Sequence, residues 1–165
     1  MHFLNPTAKA ADEECLRTLQ ELRSWVRGLP TVDRRIRHIT RYAAIVCTGT
    51  LERAFKHIIA DYVARNCPAY IDTFVTNTIR TSSRNPSYEE ILKVLALFDD
   101  NWKDVFKQRV AKLPYSKRDL DSLKSLVSVR NHVAHGGSIS VGFIDVMDYY
   151  CRARSIVLQL ETFLK

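Results

Sequence analysis

Ser128-Val129-Arg130-Asn131-His132-Val133-Ala134-His135-Gly136-Gly137 is the stretch on which the reading of this chain turns. It closes an apolar-periodic segment and ends on paired glycines, the pattern of a helix C-terminus. Arg130 falls with Leu123, Val127 and Ala134 on the apolar stripe, where a guanidinium needs an acceptor. Arginine offers a fixed fork of donors that suits a phosphate. Histidine gives or takes a proton near neutral pH. Five helical steps set Arg130 and His135 ~140° apart around the axis, with ~7.5 Å of rise. They do not share a face. Asn131 and His135 do, so Asn131 is expected to hydrogen-bond or orient the imidazole.

Outward from this stretch, every periodic segment reads as helix and none alternates as a strand. The first helix is expected over about 9–27, stopped by Gly28-Leu29-Pro30, and a long second over about 33–65, ended by Asn66-Cys67-Pro68. A shorter third covers 69–81. Ser82 to Pro86 is a loop. Ser87 with Glu90 makes a capping box for a fourth helix reaching about 111, on which Ile91, Leu95, Phe98, Trp102 and Val105 share a face. After Pro114, Ser116 with Asp119 opens the fifth helix, which carries the quoted stretch. Ser140 caps the sixth, which runs to about 163 with Phe143, Met147, Tyr150 and Val157 on one side. Aromatics at this spacing are core rather than a base-stacking platform. The expected fold is all-α: an antiparallel bundle of about six helices, forming one domain over residues 1–165.

The chain has 165 residues, 46% of them hydrophobic, enough to bury a real core. The longest apolar run, Tyr42 to Leu51, is too short to cross a bilayer, and residues 1–6 lack a signal-peptide layout. No membrane association is expected, and the location is read as cytoplasmic. Cys15, Cys47, Cys67 and Cys151 are scattered and have no zinc-site spacing; they read as reduced core thiols. No metal site, cofactor loop or Ser/Cys nucleophile context is present in the pattern. The net charge of +7 favours polyanions such as RNA, with Arg34, Arg35, Arg37, His38 and Arg41 in one cluster and Lys112, Lys117 and Arg118 in another.

Arg130-Asn131-(x3)-His135, within Leu126 to Gly136, resembles the RNxxxH form of the RxxxxH motif of the HEPN superfamily, most closely its RiboL-PSP branch. The resemblance covers most of residues 30–164. It implies a helical bundle, a metal-independent endoribonuclease without cofactor, and a homodimer that brings two motifs into one cleft. The chemistry is transesterification: the ribose 2′-OH attacks its own phosphate, a base takes the 2′ proton and an acid protonates the leaving 5′ oxygen. Arg130 stabilises the phosphorane-like transition state. In-line displacement sets acid and base on opposite sides, so one His135 does not readily serve as both. The expected dimer interface includes the motif helix and the Gly136-Gly137 turn.

Glu52 lies in the arc of Ile45, Thr48, Phe55, Ile59 and Val63. It is a candidate partner for Arg130, and the resemblance agrees, since an acidic residue often accompanies the motif there; equally, it is a rim carboxylate bound to Arg41 or Arg53. His132, Arg41, Lys117 and Arg118 are RNA-binding candidates. Some HEPN toxins carry a tyrosine two residues after the motif histidine as a target for AMP transfer. Gly137 stands there in this chain, so control by an antitoxin or defence-system partner would take another form. The leading expectation is a toxin- or phage-defence-type endoribonuclease. The alternatives are a non-catalytic HEPN module that binds RNA, nucleotide or a protein partner, and a purely structural helical dimer.

Overall fold

The computed structural model describes residues 2–68 and 70–165. Seven α-helices and one π-helical turn make up the described chain, with no strand among the described residues. Helix α1 spans Pro6–Arg27, three residues longer at its start than the periodicity implies. Asn5 caps it by accepting the Ala8 N–H at 3.0 Å, and Pro6 takes the first turn, where a missing N–H costs nothing. Helix α2, Arg34–Asn66, begins at the cap Asp33. Its 33 residues give a rod of about 50 Å that packs against α1 and against two later helices, α6 (Ser116–Ala134) and α7 (Phe143–Phe163). Thr40, Thr48 and Thr50 lie on its buried sides, and each hydroxyl donates to a carbonyl four residues back, which satisfies it within the helix.

Beyond the earlier start of α1, four elements depart from the sequence reading. The helix expected over 69–81 is α3, Tyr70–Val75, continuing into a π-helical turn, Thr76–Arg80; Ala69 lies outside the described residues. Arg80 fastens this turn to Asp61 at 2.8 Å and Asp72 at 2.7 Å. The helix expected to run to 111 is two: α4, Tyr88–Ala96, and α5, Asp100–Ala111. Asp99 adopts an extended backbone and its carboxylate accepts the Asn101 N–H at 2.8 Å, so a new helix starts there. The break turns Trp102 onto Tyr62, Phe98 and Phe163, with ring centroids 5.6 to 6.2 Å apart. The third departure is at α6, Ser116–Ala134, which has no side-chain cap. Ser116 is already helical, and Asp119 is buried and accepts the Ser155 hydroxyl of α7 at 2.6 Å. A tertiary partner has taken the carboxylate that a capping box would use. Helix α7, Phe143–Phe163, starts after Gly142 rather than Ser140, with Asp145 accepting the Gly142 N–H.

The buried side chains form one cluster to which all seven helices contribute. Val75 and Ile79 bring α3 and the π turn into it. A polar tie crosses it: Tyr150 donates to Asp12 at 2.7 Å, and the Arg154 guanidinium pairs with the other oxygen of the same carboxylate. This joins α1 to α7. Cys15 and Cys47 are buried free thiols, whereas Cys67 and Cys151 are exposed rather than part of the core. No helix among the described residues is long and apolar enough to cross a membrane.

Candidate active site

The end of α6 is a tightly closed turn. His135 is the last residue before the chain leaves the helix, and its N–H still donates to the Asn131 carbonyl at 3.1 Å. Gly136 takes φ +74°, a left-handed conformation that disfavours any Cβ. This lets Gly136 N–H reach the Val133 carbonyl at 3.1 Å and Gly137 N–H reach that of His132 at 2.7 Å, the paired bonds of a Schellman motif. Arg41 of α2 then clamps the turn, donating from Nη2 to the Gly137 carbonyl at 2.9 Å. Arg41, expected on RNA, is thus half-buried and spends one donor on the motif's own backbone; its Nε is buried and has no partner among the described residues. A side chain at position 137 would place its Cβ 3.0 Å from the His132 carbonyl oxygen. A tyrosine there would not fit this turn unaltered.

The turn leaves His135 exposed, with no side-chain hydrogen bond among the described residues. Arg130 is half-buried. Its one side-chain hydrogen bond is from Nη1 to Asn131 Oδ1 at 3.3 Å, and it makes no ion pair among the described residues. Glu52 is therefore not its partner in this chain. One Glu52 oxygen accepts from Lys56 Nζ at 3.2 Å and from the Arg84 N–H at 2.9 Å. Neither Arg41 nor Arg53 holds it. The reason is local: Lys56 sits at i+4 on the same helix, where a pair forms readily, and the loop after the π turn delivers a backbone donor. The Glu52-x3-Lys56 spacing was the legible signal.

Asn131 does not orient His135 either. Its Oδ1 faces Arg130 and also accepts from Asn85 Nδ2 at 3.4 Å. The backbone i,i+4 bond from His135 to Asn131 is kept, but no hydrogen bond joins their side chains among the described residues. Asn85 is the neighbour that sequence reasoning missed. It lies in the loop before α4, where the sequence announces only a turn, and its own Oδ1 is buried with no partner among the described residues.

His132 is exposed, with Nδ1 2.9 Å from the Ser128 carbonyl. A carbonyl can only accept, so this nitrogen carries a proton, and in neutral imidazole Nε2 remains an acceptor. His132 stands between two clefts. One, of about 510 Å³, is walled by Lys124, Ser138, Val141 and Tyr149. The other, of about 490 Å³, is walled by Tyr88, Leu120, Lys124 and Asn131. Arg130 and His135 line neither of these two. Lys117 and Arg118 are exposed at the opposite end of α6, near Asp148 and Tyr149. Arg118 precedes His135 by 17 residues, about 25 Å along the helix, so they cannot touch the same phosphate.

The structure thus brings Arg130, Asn131, Asn85 and the His132–Gly137 turn together, adds Arg41 as a clamp, and leaves Glu52 to the loop and Lys117 and Arg118 remote. Among the described residues no three His, Cys, Asp or Glu side chains gather as a metal site would. No curated protein and no solved structure matches the chain significantly. A family model described as RiboL-PSP-HEPN matches residues 13–165, from early in α1 through the end of α7. With a match over nearly the whole of an all-helical chain that ends α6 on Arg130-Asn131-x3-His135, the protein belongs to the RiboL-PSP-HEPN family.

Proposed function

We propose that the protein is a metal-independent endoribonuclease of the toxin or defence type, cutting RNA by attack of the 2′-OH on the adjacent phosphate. One observation carries the reading: the charge of Arg130 is answered by no carboxylate among the described residues, only by the amide oxygen of Asn131. A guanidinium left in that state is available to a phosphate. His135, exposed at the next turn of the same helix, is free to move a proton to or from a reacting oxygen.

The reaction needs a second proton-transfer group opposite the first. Two α6 termini facing each other in a homodimer would supply it, each adding an arginine to hold the pentavalent phosphate and a histidine to serve as acid or base. The products would be a 2′,3′-cyclic phosphate and a 5′-OH.

A second reading has its own support. The clefts beside His132 are large enough for a nucleotide and are not lined by the motif pair, which suits a HEPN module that binds RNA or nucleotide without cutting it. One assay separates the two: an end-labelled RNA carrying a single 2′-deoxy substitution 5′ of the cut, in EDTA, beside the unmodified strand. Cleavage of the unmodified strand alone, with cyclic-phosphate ends, is expected. No cleavage of either strand would leave the binding module, and cutting of both would show that another nucleophile attacks.

A further inference from the structure

Arg34, Arg37, His38 and Arg41 follow one another at i, i+3, i+4 and i+7 on α2, so they share one face of the helix. The structure ties the lower end of this stripe to the candidate active site, because Arg41 is the residue that holds the Gly137 carbonyl. At this turn α6 has ended, while α2 reaches seven residues further back to Arg34, about 10 Å. The stripe therefore extends from the motif's terminus along the first two turns of α2. Arg34, Arg37 and His38 are exposed and make no ion pair or side-chain hydrogen bond among the described residues. Arg35 differs: it points off the stripe and is bound to Asp33 at 2.7 Å. That pairing also neutralises Asp33, the acidic residue that caps the helix. No acidic side chain lies in the first turn of α2, and the unpaired N–H groups of the helix start add positive potential.

We infer that this stripe is the track for the single-stranded RNA that leaves the cleavage site, with Arg34 and Arg37 on two successive backbone phosphates beyond the one held at Arg130. The occupant follows from charge complementarity: two unspent guanidiniums and an imidazole in a row, continuous through Arg41 with the turn that ends the motif helix, fit a polyanionic strand. Arg41 is the junction, its guanidinium turned inward to the Gly137 carbonyl and the outer arginines left to solvent. The inference rests on the nuclease reading for what lies at the inner end of the track, although binding itself does not require cleavage.

The test uses the full chain as His135→Ala, so that RNA stays intact, and measures affinity for a labelled single-stranded RNA across a salt series. The logarithm of the binding constant falls by about 0.7 per neutralised phosphate for each unit of log salt. Arg34→Gln/Arg37→Gln should therefore flatten the slope by about 1.4, two phosphates at 0.7 each. Lys93→Gln/Lys107→Gln, which removes two exposed charges on α4 and α5, should leave it unchanged. An unaltered slope in the arginine pair, an equal loss in the lysine pair, or no measurable RNA binding would each overturn the track. Cleavage by the wild type with an unaltered slope would remove the track and keep the nuclease. A flattened slope beside a wild type that never cuts would keep the track and remove the nuclease.

Discussion

Two glycine-to-alanine substitutions in this chain should shift stability in opposite directions, and the pair tests the turn that presents His135. Gly136 has φ +74°, and an added Cβ would meet nothing within 4 Å. Gly136→Ala therefore isolates backbone strain with no clash. A left-handed non-glycine residue costs about 1–2 kcal/mol, and the stiffer unfolded chain returns about 0.4–1 kcal/mol. The net loss is about 1 kcal/mol, which for a chain of this size lowers Tm by about 2–4 °C. Gly49 lies in the interior of α2, is exposed, and also has open space around the missing Cβ, without a positive φ. There the same methyl removes unfolded-state entropy at no strain and should stabilise by about 0.5–1 kcal/mol. Thermal melts of wild type and both variants, at one protein concentration, read the difference directly. The Gly137→Ala variant adds a third point. Its Cβ would press on the His132 carbonyl at 3.0 Å, an atom that the Gly137 N–H itself holds at 2.7 Å, so relief must lengthen that bond by a few tenths of an ångström. If Gly136→Ala melts at or above the wild type while Gly49→Ala rises as expected, the left-handed turn is not built as described.

Further outcomes follow from the same geometry. His135→Ala should lower cleavage by about 10²–10⁴-fold with an unchanged melt, because the side chain is exposed and makes no hydrogen bond among the described residues. Arg130→Ala should cost comparable activity and little stability, because Glu52 keeps Lys56 and the Arg84 N–H; a loss of about 3–5 kcal/mol, the scale of a broken buried pair, would show that Arg130 neutralises a carboxylate after all. In urea titrations Asp12→Ala should lose about 3–5 kcal/mol, stranding both Tyr150 and Arg154, whereas Tyr150→Phe should lose about 1–3 kcal/mol because Arg154 still holds the carboxylate; equal losses would contradict the tie between α1 and α7. Burial pushes the Asp61 carboxyl up, but hydrogen bonds from Arg80 and Asn5 and the Arg80 charge outweigh it, so its pKa lies below the usual carboxylate value. Its folded value is therefore lower than its unfolded one, and the stability it adds is full above the unfolded value and fades as pH falls through the folded one. Arg80→Gln should flatten that acid limb of the stability curve, and an unchanged acid limb would show that the ion pair does not hold in solution.

Local rules carried the sequence reading a long way. Helices α1, α2, α6 and α7 were legible because 3.6-residue periodicity and Gly and Pro stops are properties of adjacent residues. The terminus of α6 was legible for the same reason: Gly136-Gly137 states its own turn, and Arg130 and His135 are placed around an axis by counting. Partner choice was not legible, because it depends on which side chains arrive from elsewhere in space. Asp119 reads as a cap and instead serves Ser155 on α7. Glu52 reads as a partner of Arg130 or as a rim carboxylate on Arg41 or Arg53; its i,i+4 pair with Lys56 follows a local rule, but the Arg84 amide that the loop brings to it does not. Asn131 reads as the orienter of His135 and instead faces Asn85, 46 positions away in sequence. Arg41 reads as a surface cation and becomes the clamp on the motif's turn, 96 positions away. An all-helical chain and the position of its motif can be read from the order of residues, since backbone hydrogen bonding and burial periodicity are set within a few residues. Which charges are spent and which remain free is set by packing, because a salt bridge or hydrogen bond goes to a satisfiable group close by in space, and for partners distant in sequence that neighbourhood exists only once the helices have come together.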